Sequence, residues 1–201
     1  MIRVFLAGEG ASELGSRSGH PVYQSDGAPG VLQSLLRAVR TEGWEVAGAI
    51  DWRHIRKLRA NAPGEGDGRS VLAAALHAVE QGASVLAFTR DRDRDEGREE
   101  AIERAVEEAE RDRAIAVVGG VAIETIEGWL IALTGEARSE SIRHPEKEMP
   151  RLSLGQKHAA DYAAHVRKHG LGRVSPDARS LLRWIDRARR AFESSSAAPP
   201  T

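Results

Sequence analysis

Apolar residues along the chain alternate between short continuous runs and stretches of helical spacing. The short runs cover residues 2–7, 44–50, 84–89 and 114–118, and runs of this length are typical of buried strands. Gly8, Gly82 and Gly119 stand beside these runs, and glycine commonly ends a strand or a helix. Strands that alternate with helices predict a mostly parallel α/β sheet flanked by helices.

Apolar residues at intervals of three and four predict the helices. They cover residues 31–39, 71–79, 102–109, 123–133, about 155–169 and about 176–192, and Pro29 fits the first turn of the first helix. Polar stretches over residues 14–30 and 136–154 predict loops, and the Ser, Ala and Pro residues of the C-terminus predict disorder. We therefore expect an α/β domain over residues 1–150, a basic helical extension over 151–193 and a disordered tail over 194–201.

Composition narrows the class of protein. Of 201 residues, 41% are hydrophobic and 29% are charged, which excludes a disordered or a membrane protein. The absence of cysteine excludes a disulfide framework, thiolate chemistry and a Cys-zinc site, and it fits a reducing compartment. No apolar stretch approaches the length of about 20 residues that a membrane span needs. We expect a cytoplasmic protein that does not bind a membrane.

The net charge of −1 hides an asymmetry along the chain. Residues 1–150 hold 19 Lys and Arg against 26 Asp and Glu, whereas residues 151–201 hold 10 against 4. The last helix carries arginines on one face, and a second basic group follows the second strand; both are candidates for binding nucleic-acid phosphates. The members are Arg179, Arg183, Arg187 and Arg190, and Arg53, Arg56 and Lys57. A solvated helix face, with ion pairs to Asp177 and Asp186, is the alternative interpretation.

Acidic side chains follow three of the four predicted strands. Glu9 comes directly after the first strand, Asp91 and Asp93 come after the third, and Glu124 and Glu127 come after the fourth. Because the carboxyl ends of parallel strands meet at one edge of the sheet, we expect these side chains to converge. Asp91 and Asp93 would face the same way on an extended segment, and Glu124 and Glu127 would share a helix face.

Carboxylates that lie close together repel one another unless a cation compensates. Mg²⁺ or Mn²⁺ is the natural compensator, because these hard ions prefer oxygen ligands. Glu13 joins the group if residues 8–13 coil briefly. The pattern predicts a site for one or two such ions, which could activate water for phosphodiester hydrolysis. The alternative is a solvated charge run with acids placed for the dipole of a following helix.

Two segments resemble the TOPRIM fold, the Mg²⁺-binding α/β domain of topoisomerases, primases, recombination proteins and OLD-type nucleases. Its pattern is a Glu after the first strand and an Asp-x-Asp after a later one. Residues 6–13 (LAGEGASE) and 88–93 (FTRDRD) are similar to these elements, and residues 125–130 (TIEGWL) resemble the Glu-rich helix start of small standalone bacterial TOPRIM-like proteins. The resemblance covers about residues 1–135. The polar stretch over residues 14–30 and the displacement of a glycine to Gly97 depart from the pattern.

The resemblance implies roles for the acidic residues. Glu9, Asp91 and Asp93 would be catalytic and metal-binding, and Glu13, Glu124 and Glu127 would be the further acids that OLD-type nucleases use for a second metal. It implies a nuclease that depends on Mg²⁺ or Mn²⁺ and acts on nucleic acid, with DNA as the expected substrate. Antiphage defence or DNA processing, with a separate ATPase as partner, comes from the resemblance alone. The oligomeric state stays open.

Other functions fit the sequence less well. Neither tyrosine suits topoisomerase chemistry, because Tyr23 lies in a predicted loop and Tyr162 on a helix where packing or exposure explains it. A primase would need a triphosphate-binding loop, which the short Gly8-x-Gly10 segment does not supply. A receiver-like phosphotransfer domain would need a lysine near its acidic pocket, and no lysine precedes Lys57. The main alternative to a nuclease is a non-catalytic TOPRIM-like module that binds nucleic acid or a protein partner.

Overall fold

A parallel sheet lies at the centre of the fold. The computed structural model describes residues 1–15, 28–55, 66–93, 95–113, 115–154 and 159–197. The strands in these ranges are β1 (Ile2–Gly8), β2 (Trp44–Asp51), β3 (Val85–Phe88), β4 (Arg90–Asp91), β5 (Ala116–Val118) and β6 (Val121–Ala122). Four of them form a parallel sheet in the order β2-β1-β3-β5, and β4 pairs in parallel with β6. The predicted mostly parallel α/β architecture is confirmed, whereas the β4-β6 pair was not predicted.

Helices flank the sheet. The described α-helices are α1 (Ala11–Leu14), α2 (Val31–Val39), α3 (Trp52–Ile55), α4 (Gly66–Glu80), α5 (Glu96–Arg113), α6 (Ile126–Ala132), α7 (Ala159–His169) and α8 (Arg179–Ala197). Two 3₁₀ helices cover Ser139–Ser141 and Pro145–Leu152. Within the described ranges, no helix combines the length and apolar character needed to cross a lipid bilayer.

The apolar sequence of β1 reflects burial on both faces of the sheet. Successive side chains of a strand point to opposite faces; accordingly, Leu6 belongs to one hydrophobic cluster, and Phe5 and Ala7 belong to another. The register places Leu6 beside Ala49 of β2 and Ala87 of β3. Because β1 lies between two strands, its carboxyl end is held at the middle of the sheet edge.

The two hydrophobic clusters lie on opposite faces of the sheet. α2, α6, α7 and α8 supply the first cluster, in which Trp129, Tyr162 and Trp184 are fully buried. α3, α4 and α5 supply the second cluster, which includes Trp52 and Ile102. The helices α7 and α8 fall in the predicted extension over residues 151–193, yet their side chains are part of the core that covers the sheet.

Two tryptophans from opposite faces of the sheet hold the end of β3. The indole Nε1 of Trp184 in α8 donates a hydrogen bond to the carbonyl of Phe88 at 2.9 Å. The indole Nε1 of Trp52 in α3 donates to the carbonyl of Thr89 at 2.8 Å. These carbonyls stand directly before Arg90 and Asp91, so the path of the chain into β4 is fixed from both sides.

Several predicted boundaries need correction. The loop predicted over residues 136–154 is wrong, because it contains both 3₁₀ helices and buries Met149 completely. The tail predicted from residue 194 is helical as far as Ala197, and residues 198–201 lie outside the described residues. Most of the loop predicted over 14–30 also lies outside them, and Pro29 precedes α2 instead of standing in its first turn.

Candidate functional site

A cavity of about 870 Å³ lies beyond the carboxyl ends of β1 and β3. Its lining includes all six acidic residues predicted from the sequence and a seventh, Glu146, and we call it the acidic cavity. Arg143 and His144 also line it. The carboxylates are those of Glu9, Glu13, Asp91, Asp93, Glu124, Glu127 and Glu146. The parallel topology therefore brings together side chains from distant parts of the chain, as expected at this edge of a sheet.

The first two acids are positioned by the turn that follows β1. Glu9 comes directly after the strand, and α1 turns Glu13 back so that its Oε2 accepts a hydrogen bond from the N–H of Glu9. Glu13 is only 4% exposed. A Cβ atom at Gly8 would lie 2.5 Å from Oε2 of Glu13, so any other residue at this position would displace the carboxylate. The short turn on which Glu13 depended in the sequence is thus present.

Asp91 lies in β4 and connects that strand to α6. The Asp91 N–H donates to Oε1 of Glu9 at 3.2 Å, and Oδ1 of Asp91 accepts a hydrogen bond from the N–H of Ile126 at 2.9 Å. Ile126 is the first residue of α6, where backbone N–H groups lack partners within the helix. The Asp91 carboxylate therefore helps to fix the start of α6 as well as the edge of the cavity.

Arg98 closes the turn that follows β4. Its Nη1 donates to the carbonyl of Arg92 at 3.1 Å and to Oδ2 of Asp93 at 3.0 Å, and its Nε donates to Asp67 at 2.7 Å. Asp93 has a φ of 49°, and its side chain is 56% exposed. Asp91 and Asp93 both line the acidic cavity, but they differ in their hydrogen-bond partners and in their exposure.

Glu124 and Glu127 do not share a helix face, which corrects an expectation from the sequence. Glu124 precedes α6 with a φ of 61°, and its Oε1 pairs with Nη2 of Arg92 at 2.5 Å. Glu127 lies in α6, is 4% exposed and accepts a hydrogen bond from the hydroxyl of Tyr162 at 3.1 Å. The left-handed residue at 124 interrupts the helix that the apolar spacing extended back to residue 123.

The electrostatics of the acidic cavity favour protonation of Asp91 and Glu13. Burial is the largest cause that raises the pKa of Asp91 to about 8, followed by the charges of Glu9 and Glu127; the hydrogen bond from Ile126 acts to lower it. Burial likewise raises the pKa of Glu13 well above its usual range, and the charge of Asp91 is the next cause. Carboxylates in this state are stabilised by a nearby cation.

The donor atoms suit a hard divalent cation, although they are not gathered around one point. Oxygen ligands alone match Mg²⁺ or Mn²⁺ better than zinc. Within the described residues, no three Asp, Glu or His side chains lie close enough together to hold an ion. Glu9 pairs with Arg90, and Glu124 pairs with Arg92. A metal ion bound by Glu9 or Glu124 would compete with the arginine that pairs with that glutamate.

Two of the arginines of α8 form ion pairs with glutamates of α5. Nη1 of Arg183 lies 2.9 Å from Glu99 and 3.2 Å from Glu103, and Arg187 pairs with Glu103 and donates to the carbonyl of Gly119 at 2.7 Å. The hydrogen bonds and charge of Arg187 lower the pKa of Glu103 although burial acts to raise it. Arg183 and Arg187 therefore join α8 to α5 and do not stand free on the predicted basic face.

The remaining predicted basic residues are exposed or lie outside the described residues. Arg179 and Arg190 are exposed on α8. Arg53 is 66% exposed and donates two hydrogen bonds to Asp51 Oδ2, at 2.8 and 3.1 Å. Arg56 and Lys57 lie outside the described residues. The second basic group is thus described at one position only.

Sequence reasoning missed four residues of the site. Tyr162 packs in the core, which was one of its two predicted roles, but the hydrogen bond from its hydroxyl to Glu127 was not predicted. Arg143, His144 and Glu146 lie in the segment that was interpreted as a polar loop, and they line the acidic cavity. The alternation of Pro145, Met149 and Leu152 with charged residues was the one signal that this segment packs against the core.

Comparison of the chain with protein-family models, curated proteins and solved structures gives no match. The resemblance to the TOPRIM fold consequently rests on the motifs in the sequence alone. A function for this chain has to be inferred from the acidic cavity and its surroundings.

Proposed function

We propose that this chain is a Mg²⁺-dependent TOPRIM-like nuclease that hydrolyses nucleic-acid phosphodiesters in the acidic cavity. The observation that carries the proposal is the burial of mutually repelling carboxylates, expressed in the raised pKa values of Asp91 and Glu13. Burying such groups destabilises a fold, and strongly perturbed pKa values in a cleft are typical of functional sites. A divalent cation would relieve the repulsion.

The sheet order supports the TOPRIM-like assignment. β1 and β3 are direct neighbours, so the glutamate after the first strand lies beside the aspartate that follows the later one. Their contact is the hydrogen bond from the Asp91 N–H to Glu9 at 3.2 Å. This juxtaposition fits the TOPRIM pattern of a Glu after the first strand and an Asp-x-Asp after a later one.

Six residues of the acidic cavity have proposed roles. All six are metal ligands, and three of them, Glu9, Asp91 and Asp93, are also catalytic. The other three ligands are Glu13, Glu124 and Glu127. Bound Mg²⁺ would supply Lewis-acid activation of a water and neutralise charge on the phosphate. The hydrogen bond from Tyr162 holds the Glu127 carboxylate in the cavity wall. Without a bound ion, Arg90 and Arg92 neutralise the carboxylates of Glu9 and Glu124.

The wider setting follows from the resemblance. DNA is the proposed substrate, a separate ATPase is the proposed partner, and antiphage defence or DNA processing is the proposed role. Arg179 and Arg190, exposed on α8, are available for phosphate contacts.

A non-catalytic module that binds nucleic acid or a protein is the second candidate. Two observations favour it: Glu9 and Glu124 pair with Arg90 and Arg92, and no three acids among the described residues are arranged to hold one ion. In that case the buried acids are structural, and Asp91 acts chiefly through its hydrogen bond to the start of α6.

The test compares cleavage of plasmid and single-stranded DNA by the wild type, Asp91→Ala and Glu9→Ala in Mg²⁺ or Mn²⁺. Glu100→Ala is a matched control, because this glutamate is 76% exposed on α5 and pairs only weakly with Arg104 at 3.7 Å. Cleavage by the wild type and Glu100→Ala, with loss in the other two variants, supports the nuclease. Equal cleavage by all four proteins would contradict the site. DNA binding without cleavage by any of them would support the non-catalytic module.

A further inference from the structure

Arg143 lines two cavities on the surface of the protein. It lies between the two 3₁₀ helices and lines both the acidic cavity and a second cavity of about 320 Å³. The second cavity is also lined by Arg92, Glu96 and Glu124. Because Arg143 and Glu124 line both, the two cavities meet at these side chains.

Arg143 differs from Arg90 and Arg92 in having no acidic partner among the described residues. In the described lining of the acidic cavity, it is the only arginine or lysine among seven carboxylates. Arg90 and Arg92 pair with Glu9 and Glu124. For Arg143 there is no ion pair in the part of the chain that the structure describes, and its side chain is exposed. Its guanidinium is therefore available to an anion from outside the chain.

The backbone that carries Arg143 is anchored on both sides. Before it, the carboxylate of Glu140 accepts hydrogen bonds from the N–H of Ser180 at 3.0 Å and of Leu181 at 3.3 Å, at the start of α8. After it, Met149 is fully buried in the first hydrophobic cluster. An exposed side chain on a fixed backbone needs little ordering when a ligand binds.

We infer that Arg143 is a substrate-binding residue that contacts a nucleic-acid phosphate adjoining the one that is cut. This inference rests on the proposed function. A polyanion that enters a cavity lined by carboxylates is repelled unless cations meet it. The planar guanidinium donates two parallel hydrogen bonds to a phosphate. Arg143 contributes such a contact where the two cavities meet, so the strand runs past Glu124 from one cavity into the other.

The experiment uses the full chain and a labelled single-stranded DNA oligonucleotide. Binding is followed by fluorescence anisotropy over a range of salt concentrations in Ca²⁺, and cleavage is followed in Mg²⁺. The variants are Arg143→Ala and Arg143→Lys. Arg151→Ala is the matched control, because it removes the same charge from the neighbouring 3₁₀ helix. Arg151 does not line the acidic cavity; it pairs with Glu136 and with Glu148 at 3.2 Å.

Arg143→Ala is expected to weaken binding about tenfold, the effect of one charge-assisted hydrogen-bonding group. The slope of log K against log salt should fall in magnitude by about 0.7, the loss of one phosphate contact on a single strand. KM should rise with kcat unchanged, as for the loss of a uniform binding contact. Arg143→Lys should keep the salt slope, and Arg151→Ala should match the wild type.

The outcomes separate this inference from the proposed function. A wild type that cleaves DNA, beside an Arg143→Ala variant with unchanged salt slope and KM, overturns the inference and leaves the nuclease standing. An equal loss in Arg143→Ala and Arg151→Ala overturns it too, because the effect is then one of overall charge. A wild type that neither binds nor cleaves DNA overturns both. Thermal unfolding of each variant shows whether a loss comes from the fold.

Discussion

Replacing Asp91 with Asn tests the electrostatic description of the acidic cavity directly. The substitution removes a charge and keeps an oxygen that accepts the hydrogen bond from Ile126. The pKa of Asp91 is about 8 in the folded protein against an ordinary value of 3.8. Because the folded value is raised, the contribution of Asp91 to stability is fully present below pH 3.8 and is lost as the pH rises through about 8.

The magnitude follows from 1.36 kcal/mol per pKa unit. Ionisation of Asp91 lowers the free energy of unfolding by at most about 6 kcal/mol above pH 8 and by less than about 2 kcal/mol at pH 5. The asparagine variant carries no charge at either pH. Its stability relative to the wild type should therefore rise from pH 5 to about pH 8 and level off above that.

The assay is urea unfolding in EDTA, followed by fluorescence of the buried tryptophans, at intervals across this pH range. Glu100→Gln is the control, because that side chain is 76% exposed on α5 and its charge is not among those that raise the pKa of Asp91. The control should not show the rise in relative stability that is expected of Asp91→Asn. A stability difference between Asp91→Asn and the wild type that stays constant from pH 5 to pH 9 would refute this description. It would mean that burial and neighbouring charges do not raise the pKa of Asp91.

Three further predictions concern the surroundings of the cavity. Tyr162→Phe removes the hydroxyl bound to Glu127, and the free energy of unfolding should fall by about 1–2 kcal/mol. The affinity for Mg²⁺, measured by calorimetry, should fall at least tenfold. An unchanged affinity would mean that Glu127 is not a metal ligand. Gly8→Ala places a Cβ 2.5 Å from Glu13 and should lower stability by about 1–3 kcal/mol, unlike Gly10→Ala, whose Cβ would meet no atom within 4 Å. Glu103→Gln should weaken the junction of α5 and α8 by about 2 kcal/mol at neutral pH. Since the pKa of Glu103 is lowered, that difference should fade as the pH drops below the ordinary value of 4.5; a deficit that persists in acid would mean that packing, not charge, is responsible.

The sequence was informative where a local pattern and a general rule of topology act together. Apolar runs placed the four strands of the sheet, and the parallel arrangement then required Glu9, Asp91 and Glu127 to converge. Glu13 was also found, although its turn depends on Gly8, which makes room for the carboxylate. These features follow from residues that are close in sequence or fixed by strand order.

The orientation of individual side chains could not be predicted in the same way. The direction of Asp93 is set by the turn that Arg98 closes, and that of Glu124 by its pairing with Arg92. The hydrogen bond from Tyr162 to Glu127 joins residues 35 positions apart. Each depends on tertiary packing, which periodicity within one element does not report.

The two tryptophans at the end of β3 have a consequence for shortened forms of the protein. Trp184, close to the C-terminus, donates to a carbonyl three residues before Asp91. A chain cut near residue 150 would lose that donor and the helix that covers one face of the sheet, and a buried carbonyl would be left without its partner. The C-terminal helix α8 therefore supports the segment that leads from β3 to Asp91, and a fragment that ends near residue 150 is not expected to keep the arrangement of the acidic residues.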